Sequence, residues 1–154
     1  MKKITTRIVL GIAALGLATS VCAQVKPEDQ IKFRKAAYSF AAWNSGKIKA
    51  NLEGTYDAAQ VKAAANAIAG VANSGMGALF GPGTENAIGD QKTSVKPELF
   101  TNTPLIVKHS GDFATAANAL VKAADSGDVA AVKAAYGDLG KSCKACHDDF
   151  RARN

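Results

Sequence analysis

The sequence predicts an all-α fold, an antiparallel four-helix bundle, on three observations. Helix formers dominate, alanine above all, and no stretch sustains the period-two alternation of a half-buried strand. Four segments carry apolar residues at helical spacing, each with a start or stop signal. Short connections precede the second and fourth segments and one long loop separates the second from the third, which folds neighbouring helices back on each other.

The first helix starts near Pro27, a residue suited to a first turn, and Glu28 and Asp29 favour the positive end of its dipole. It runs to about Asn51, before Gly54. Ile31, Tyr38, Ala41, Ala42 and Ser45 make one face, and Phe33, Ala37 and Phe40 make a second apolar stripe. Two stripes imply burial on two sides, one within the subunit and one against a partner. The second helix opens on Asp57 as N-cap with Gln60 three residues on, a capping-box arrangement. Val61, Ala64, Ala65, Ile68 and Val71 line its face, and Gly75 and Gly77 end it.

From Ser74 to about Asn102 the helical pattern lapses, with Gly81-Pro82-Gly83, Gly89 and Pro97 as breakers. A loop of that length is either a spacer or a segment packed over something. The third helix runs from Thr103-Pro104 to Ser126-Gly127 on a stripe of Ile106, His109, Phe113, Ala116, Ala117, Leu120 and Ala124. Gly111 within it costs about 1 kcal/mol relative to alanine. The fourth is capped by Asp128 and carries Val129, Val132, Ala135, Tyr136, Leu139, Cys143 and Phe150. Its Gly137 and Gly140 serve either close helix packing or the approach of a flat ring to the backbone, and the second use is preferred.

That preference comes from Cys143-Lys144-Ala145-Cys146-His147, a C-x-x-C-H segment, the pattern by which haem is attached covalently. Each sulfur can add to one haem vinyl group, and the histidine can bind iron from one face. On a helix the two cysteines share a face and His147 stands one turn above Cys143. The rival readings are a thioredoxin-like redox pair, half of a zinc site and a plain disulfide. The first expects a βαβ setting and the second a further ligand pair, neither of which the sequence offers. One haem c per chain, ligated axially by His147, is the expected cofactor.

Residues 1–23 read as a secretory signal: Lys2, Lys3 and Arg7 make a basic start, Ile8 to Ala18 an apolar run, and Val21-Cys22-Ala23 a cleavage site. The run is too short to span a bilayer, so no membrane association is expected. The mature domain is then 24–154, in the periplasm, with Cys143 and Cys146 its only cysteines. Cleavage leaves sixteen basic against thirteen acidic residues, a formal charge of +3, which two haem propionates bring close to +1. With lysines scattered along the chain, nucleic-acid binding gains no support.

Function turns on the sixth iron position. Electron carriers fill it with methionine or a second histidine. The mature chain offers Met76, in a glycine-flanked bend, and His109, whose polar neighbours Lys108 and Ser110 read as a helix boundary. If neither binds, the iron is five-coordinate and admits NO and CO. Peroxide chemistry would want an acid–base group above the iron, and only His109 is a candidate, so no enzymatic activity is expected.

These residues resemble cytochrome c′, the class II c-type cytochromes, a family of exported four-helix haem proteins. The likeness extends through Lys26-Pro27-Glu28-Asp29 with Phe33-Arg34, Tyr56-Asp57-Ala58-Ala59-Gln60, Phe80-Gly81-Pro82-Gly83-Thr84, Lys96-Pro97-Glu98 and Ala123-Ala124-Asp125-Ser126-Gly127-Asp128. The resemblance implies that Cys143 and Cys146 hold the haem, that His147 is the proximal ligand and that Arg151 lies beside it. It implies that Arg34 reaches a haem propionate and that Tyr38 overhangs the vacant distal face. Tyrosine departs from a purely apolar lid; its hydroxyl either donates to a bound ligand or points to the bundle end and fills space, the second being preferred. The family further implies high-spin iron that binds NO and CO, NO finishing on the proximal face near Arg151, as a defence against nitrosative stress. It implies a homodimer through the first and second helices and a periplasmic redox partner. The alternative is a low-spin electron-transfer cytochrome with His109 or Met76 as sixth ligand.

Overall fold

The structure, a computed structural model, describes residues 25–152; the expected signal segment lies outside the described residues. Four long helices form the bundle: α1 (Pro27–Glu53), α2 (Ala58–Ala72), α4 (Thr103–Ser126) and α5 (Val129–Phe150), with the short α3 (Glu98–Thr101) between α2 and α4. No described helix is long and apolar enough to cross a membrane.

The helix ends follow local chemistry. Asp57 accepts from the Gln60 amide at 3.0 Å, and Asp128 accepts from the amides of Ala130 and Ala131. The other half of the expected capping box is replaced. Asn51, buried in the last turns of α1, donates to the Gln60 side chain and accepts from the Asp57 amide, tying the two helices at their junction. Asn102 caps α4 with Pro104 in its first turn, and Gly127, at φ 72°, closes it. Helix α2 stops at Ala72, where Asn73 donates to the Ala69 carbonyl, before Gly75 turns the chain.

Three helix seams are closed: α1 on α2, α2 on α4 and α4 on α5. Their core is Ala41, Ile48, Val61, Ala64, Ala65, Ile68, Ala69, Ala117, Leu120, Ala124, Val132 and Leu139. Alanines let the axes approach while the larger aliphatics fill the remaining space. The fourth seam differs, for α1 and α5 scarcely meet. Their described polar link is a hydroxyl pair, Ser45 to Tyr136 at 3.2 Å.

The buried stripe of α1 is not the expected one. Ile31, Arg34, Ala41, Asn44, Ile48 and Asn51 face inward, whereas Tyr38 and Ala42 do not. Apolar counting passes over polar residues that are buried because their hydrogen bonds are met, as when Asn44 donates to the Phe40 carbonyl. The second stripe keeps Phe33 and Phe40 about half exposed, with Trp43 beside Phe40 at a ring distance of 5.7 Å.

The long loop is packed rather than a spacer. It contains a 3-10 turn, Met76–Leu79, and the single-pair bridges Ile88–Gln91 and Val95–Arg151. It leans on α1 near its start and ends against the last turn of α5. There the Lys96 amide donates to Phe150 and the Ala152 amide to Ser94, each at 2.8 Å.

Candidate haem site

Cys143, Cys146 and His147 stand in the last two turns of α5, beside the open seam. Both cysteines are free thiols, Cys143 exposed and Cys146 half-buried. Across the gap, Tyr38 of α1 senses both. Burial first, then the charges of Cys146 and Cys143, push its phenol up to about 12. The Tyr38 ring also lies 6.5 Å from Phe113 of α4, so three helices border the crevice. Burial likewise raises the thiols of Cys143 and Cys146.

Gly137 and Gly140 do not serve helix packing: a side chain built at either meets nothing within 4 Å. Gly140 stands one turn before Cys143, about 60° round the axis from it, whereas Gly137 lies about 120° from Cys143 and opposite Cys146. Bare backbone at Gly140 therefore adjoins the face that presents the sulfurs. Two thiols one turn apart, an imidazole next to the second, bare backbone beneath and an unclosed seam fit a flat ring held through two sulfurs.

Arg151 stands beside His147. Its amide donates to the His147 carbonyl at 3.1 Å, and its charge adds to burial in lowering the basicity of the imidazole. Arg34 lies on α1 against the long loop. Its guanidinium is buried in the long loop, donating to Leu79 and Thr84 carbonyls and to the hydroxyls of Thr84 and Thr93. It also lies 4.7 Å from the centre of the Phe80 ring. Both terminal nitrogens are thereby engaged. Thr93 falls in no recognisable motif, whereas Thr84 closes the Phe80-Gly81-Pro82-Gly83-Thr84 segment, a sequence signal for this loop.

Met76 lies half-buried in the 3-10 turn after α2. His109 is buried rather than at a boundary, although Lys108 and Ser110 on either side are exposed. Its Nε2 donates to the Asp149 carboxylate at 2.8 Å, and its ring meets Phe150 edge-on at 5.8 Å. Asp149 follows His147 by two residues, about 200° around the helix axis. His109 thus grips the back of the turn that carries His147, not the space opposite it.

The family model for Cytochrome C' matches residues 29–151. A cytochrome c' from Allochromatium vinosum is 54% identical over 154 residues, covering 99% of this chain and 100% of the relative. A solved cytochrome c' with an unusual ligand-controlled dimer dissociation superimposes with a TM-score of 0.83 at 56% identity, over 85% of this chain and 100% of that one. The nitric oxide complex of a variant cytochrome c prime from Alcaligenes xylosoxidans gives a TM-score of 0.74 at 34% identity, over 84% and 98% of the two chains. With the family model spanning nearly all the described residues and relatives alike in sequence and fold, the chain belongs to the cytochrome c′ family of four-helix proteins, which carry covalent c-type haem, one per chain.

Proposed function

We propose that this chain is a periplasmic, five-coordinate haem protein that binds nitric oxide reversibly, and carbon monoxide in vitro, sequestering nitric oxide under nitrosative stress. Cys143 and Cys146 hold the haem through thioethers and His147 is its one protein ligand. Iron with an open face takes small neutral ligands. One observation carries the reading: Tyr38 of α1 lies within electrostatic reach of the cysteine pair, while His109 is bonded to Asp149. A neutral phenol is a poor ligand, and a side chain there slows entry by bulk. Its partial exposure, 38%, fits a lid at the crevice mouth.

Arg34 keeps the loop on α1 and reaches a propionate. Arg151 borders the proximal side and would flank nitric oxide if the gas displaced His147 there. The Alcaligenes xylosoxidans relative, solved with nitric oxide bound, supports this ligand class. Export rests on the basic start and apolar run of residues 1–23, which leave 24–154 as the mature domain. Phe33 and Phe40, about half exposed, and Trp43, 60% exposed, form a homodimer seam on α1, joined by α2. The relative with ligand-controlled dimer dissociation supports that assembly. A redox partner would serve only to keep the iron ferrous; the protein is a binder and not an enzyme.

The test is titration of the ferrous protein with nitric oxide and carbon monoxide, followed by absorption. Saturable, reversible shifts with one ligand per haem are expected. A protein indifferent to both gases, or one that turns over nitric oxide steadily, contradicts the reading.

A further inference from the structure

The last turn of α5 is held by side chains from α4 and from the long loop. His109, on α4, is 6% exposed. The Asp149 carboxylate has only acceptors to offer, so Nε2–H is the donor and Nδ1 carries the lone pair. That Nδ1 is buried without a partner among the described residues. A buried polar atom left unmet is unfavourable, and an apolar side chain of similar size would avoid it. Packing alone therefore does not account for an imidazole here. What the imidazole adds is a directed bond to Asp149, with an edge-on contact to Phe150. From the loop side, the Lys96 ammonium donates to the carbonyls of Asp148 and Asp149 at 2.9 and 3.0 Å. The carbonyls at the end of a helix lack intrahelical partners, and a cation meets them well.

We propose that His109, acting through Asp149, is a positioning residue for His147, with Lys96 as its counterpart on the loop side. Together they fix the rotation of the final α5 turn about its axis. This sets the angle at which the His147 imidazole meets the iron and how readily that bond yields to a competing ligand. The inference rests on His147 being the proximal ligand. Rotation is the relevant freedom because Asp149 and His147 point to nearly opposite sides of α5, so a grip on one aims the other.

The experiment uses the haem-loaded protein. Resonance Raman of the ferrous form reads the iron–histidine stretching band, and stopped-flow absorption reads the rate of His147 loss after nitric oxide is added. His109→Leu and Asp149→Ala are expected to shift or broaden the band and to speed His147 loss several-fold. His109→Gln, which keeps an N–H donor at similar reach, is expected to restore parental values. Should His109→Leu not fold, Asp149→Ala decides alone, since its side chain is about half exposed. A purely structural clamp would lower the unfolding temperature and leave band and rate at parental values, and that result overturns the proposal. A parent lacking the iron–histidine band overturns the proximal assignment itself, so the two failures are distinct.

Discussion

The two sides of this bundle use the same helices in opposite ways. On the α2/α4 side, Val61, Ala64, Ala65, Ala117 and Leu120 are fully buried and the helices meet along their length. On the α1/α5 side, Tyr38, Gly140 and Cys143 all remain exposed, and the helices are joined by Ser45 and Tyr136. Small residues occur on both sides and mean different things. Alanine in the closed seams brings backbones together, whereas the glycines of α5 border open space. The closed side supplies the stability that lets the other side stay unfilled, as a site for a ring must.

The largest effect tests the open side. Replacing Cys143 and Cys146 together by serine is expected to abolish covalent haem, leaving none after acid–organic extraction of the purified protein. Retention of the linked cofactor would remove the thiols from the site. The closed side answers to Leu120→Ala, which is expected to cost about 2–5 kcal/mol in denaturant unfolding by opening a cavity. The ferrous spectrum should not change, and a spectral change would show that the two sides are not independent.

Smaller effects sharpen the boundary between them. Tyr38→Ala is expected to speed carbon monoxide binding about tenfold, equivalent to ~1.4 kcal/mol of barrier. Flash photolysis reads this, and a rate no faster than the parent's discards the lid. The smallest effect is that of acid. Burial, then the Arg151 charge, hold the His147 imidazole below its ordinary value of 6.5. In the haem-free Cys143→Ser/Cys146→Ser protein, where no iron holds the imidazole, the unfolded chain takes up a proton as the pH falls below 6.5 that the folded chain resists. Stability is therefore full above that pH and declines beneath it. Unfolding measured between neutral and mildly acid pH checks the sign, and a rise in stability on acidification contradicts it.

Much of this arrangement was legible in the residues. Caps at Asp57 and Asp128, the glycine stop at Gly127 and the C-x-x-C-H segment are local signals, and local chemistry settles them. The α1 face was less legible because Arg34, Asn44 and Asn51 are buried, each satisfied by partners that the sequence does not identify. The loop escaped for the same reason. Its order comes from Arg34 and from the end of α5, at separations of some 50 residues, where no periodic pattern reaches. His109 shows the reverse error. Polar neighbours suggested a boundary, yet helical geometry turns Lys108 and Ser110 outward while His109 points at Asp149.

The central claim is that iron here has one protein ligand and an empty position facing Tyr38. The absorption spectrum of the ferrous protein, before any gas is added, tests it most directly. A single broad visible band, typical of high-spin five-coordinate haem, is the predicted result. Sharp, split α and β bands would mean that a second side chain, His109 or Met76, fills the sixth position, and would contradict the account.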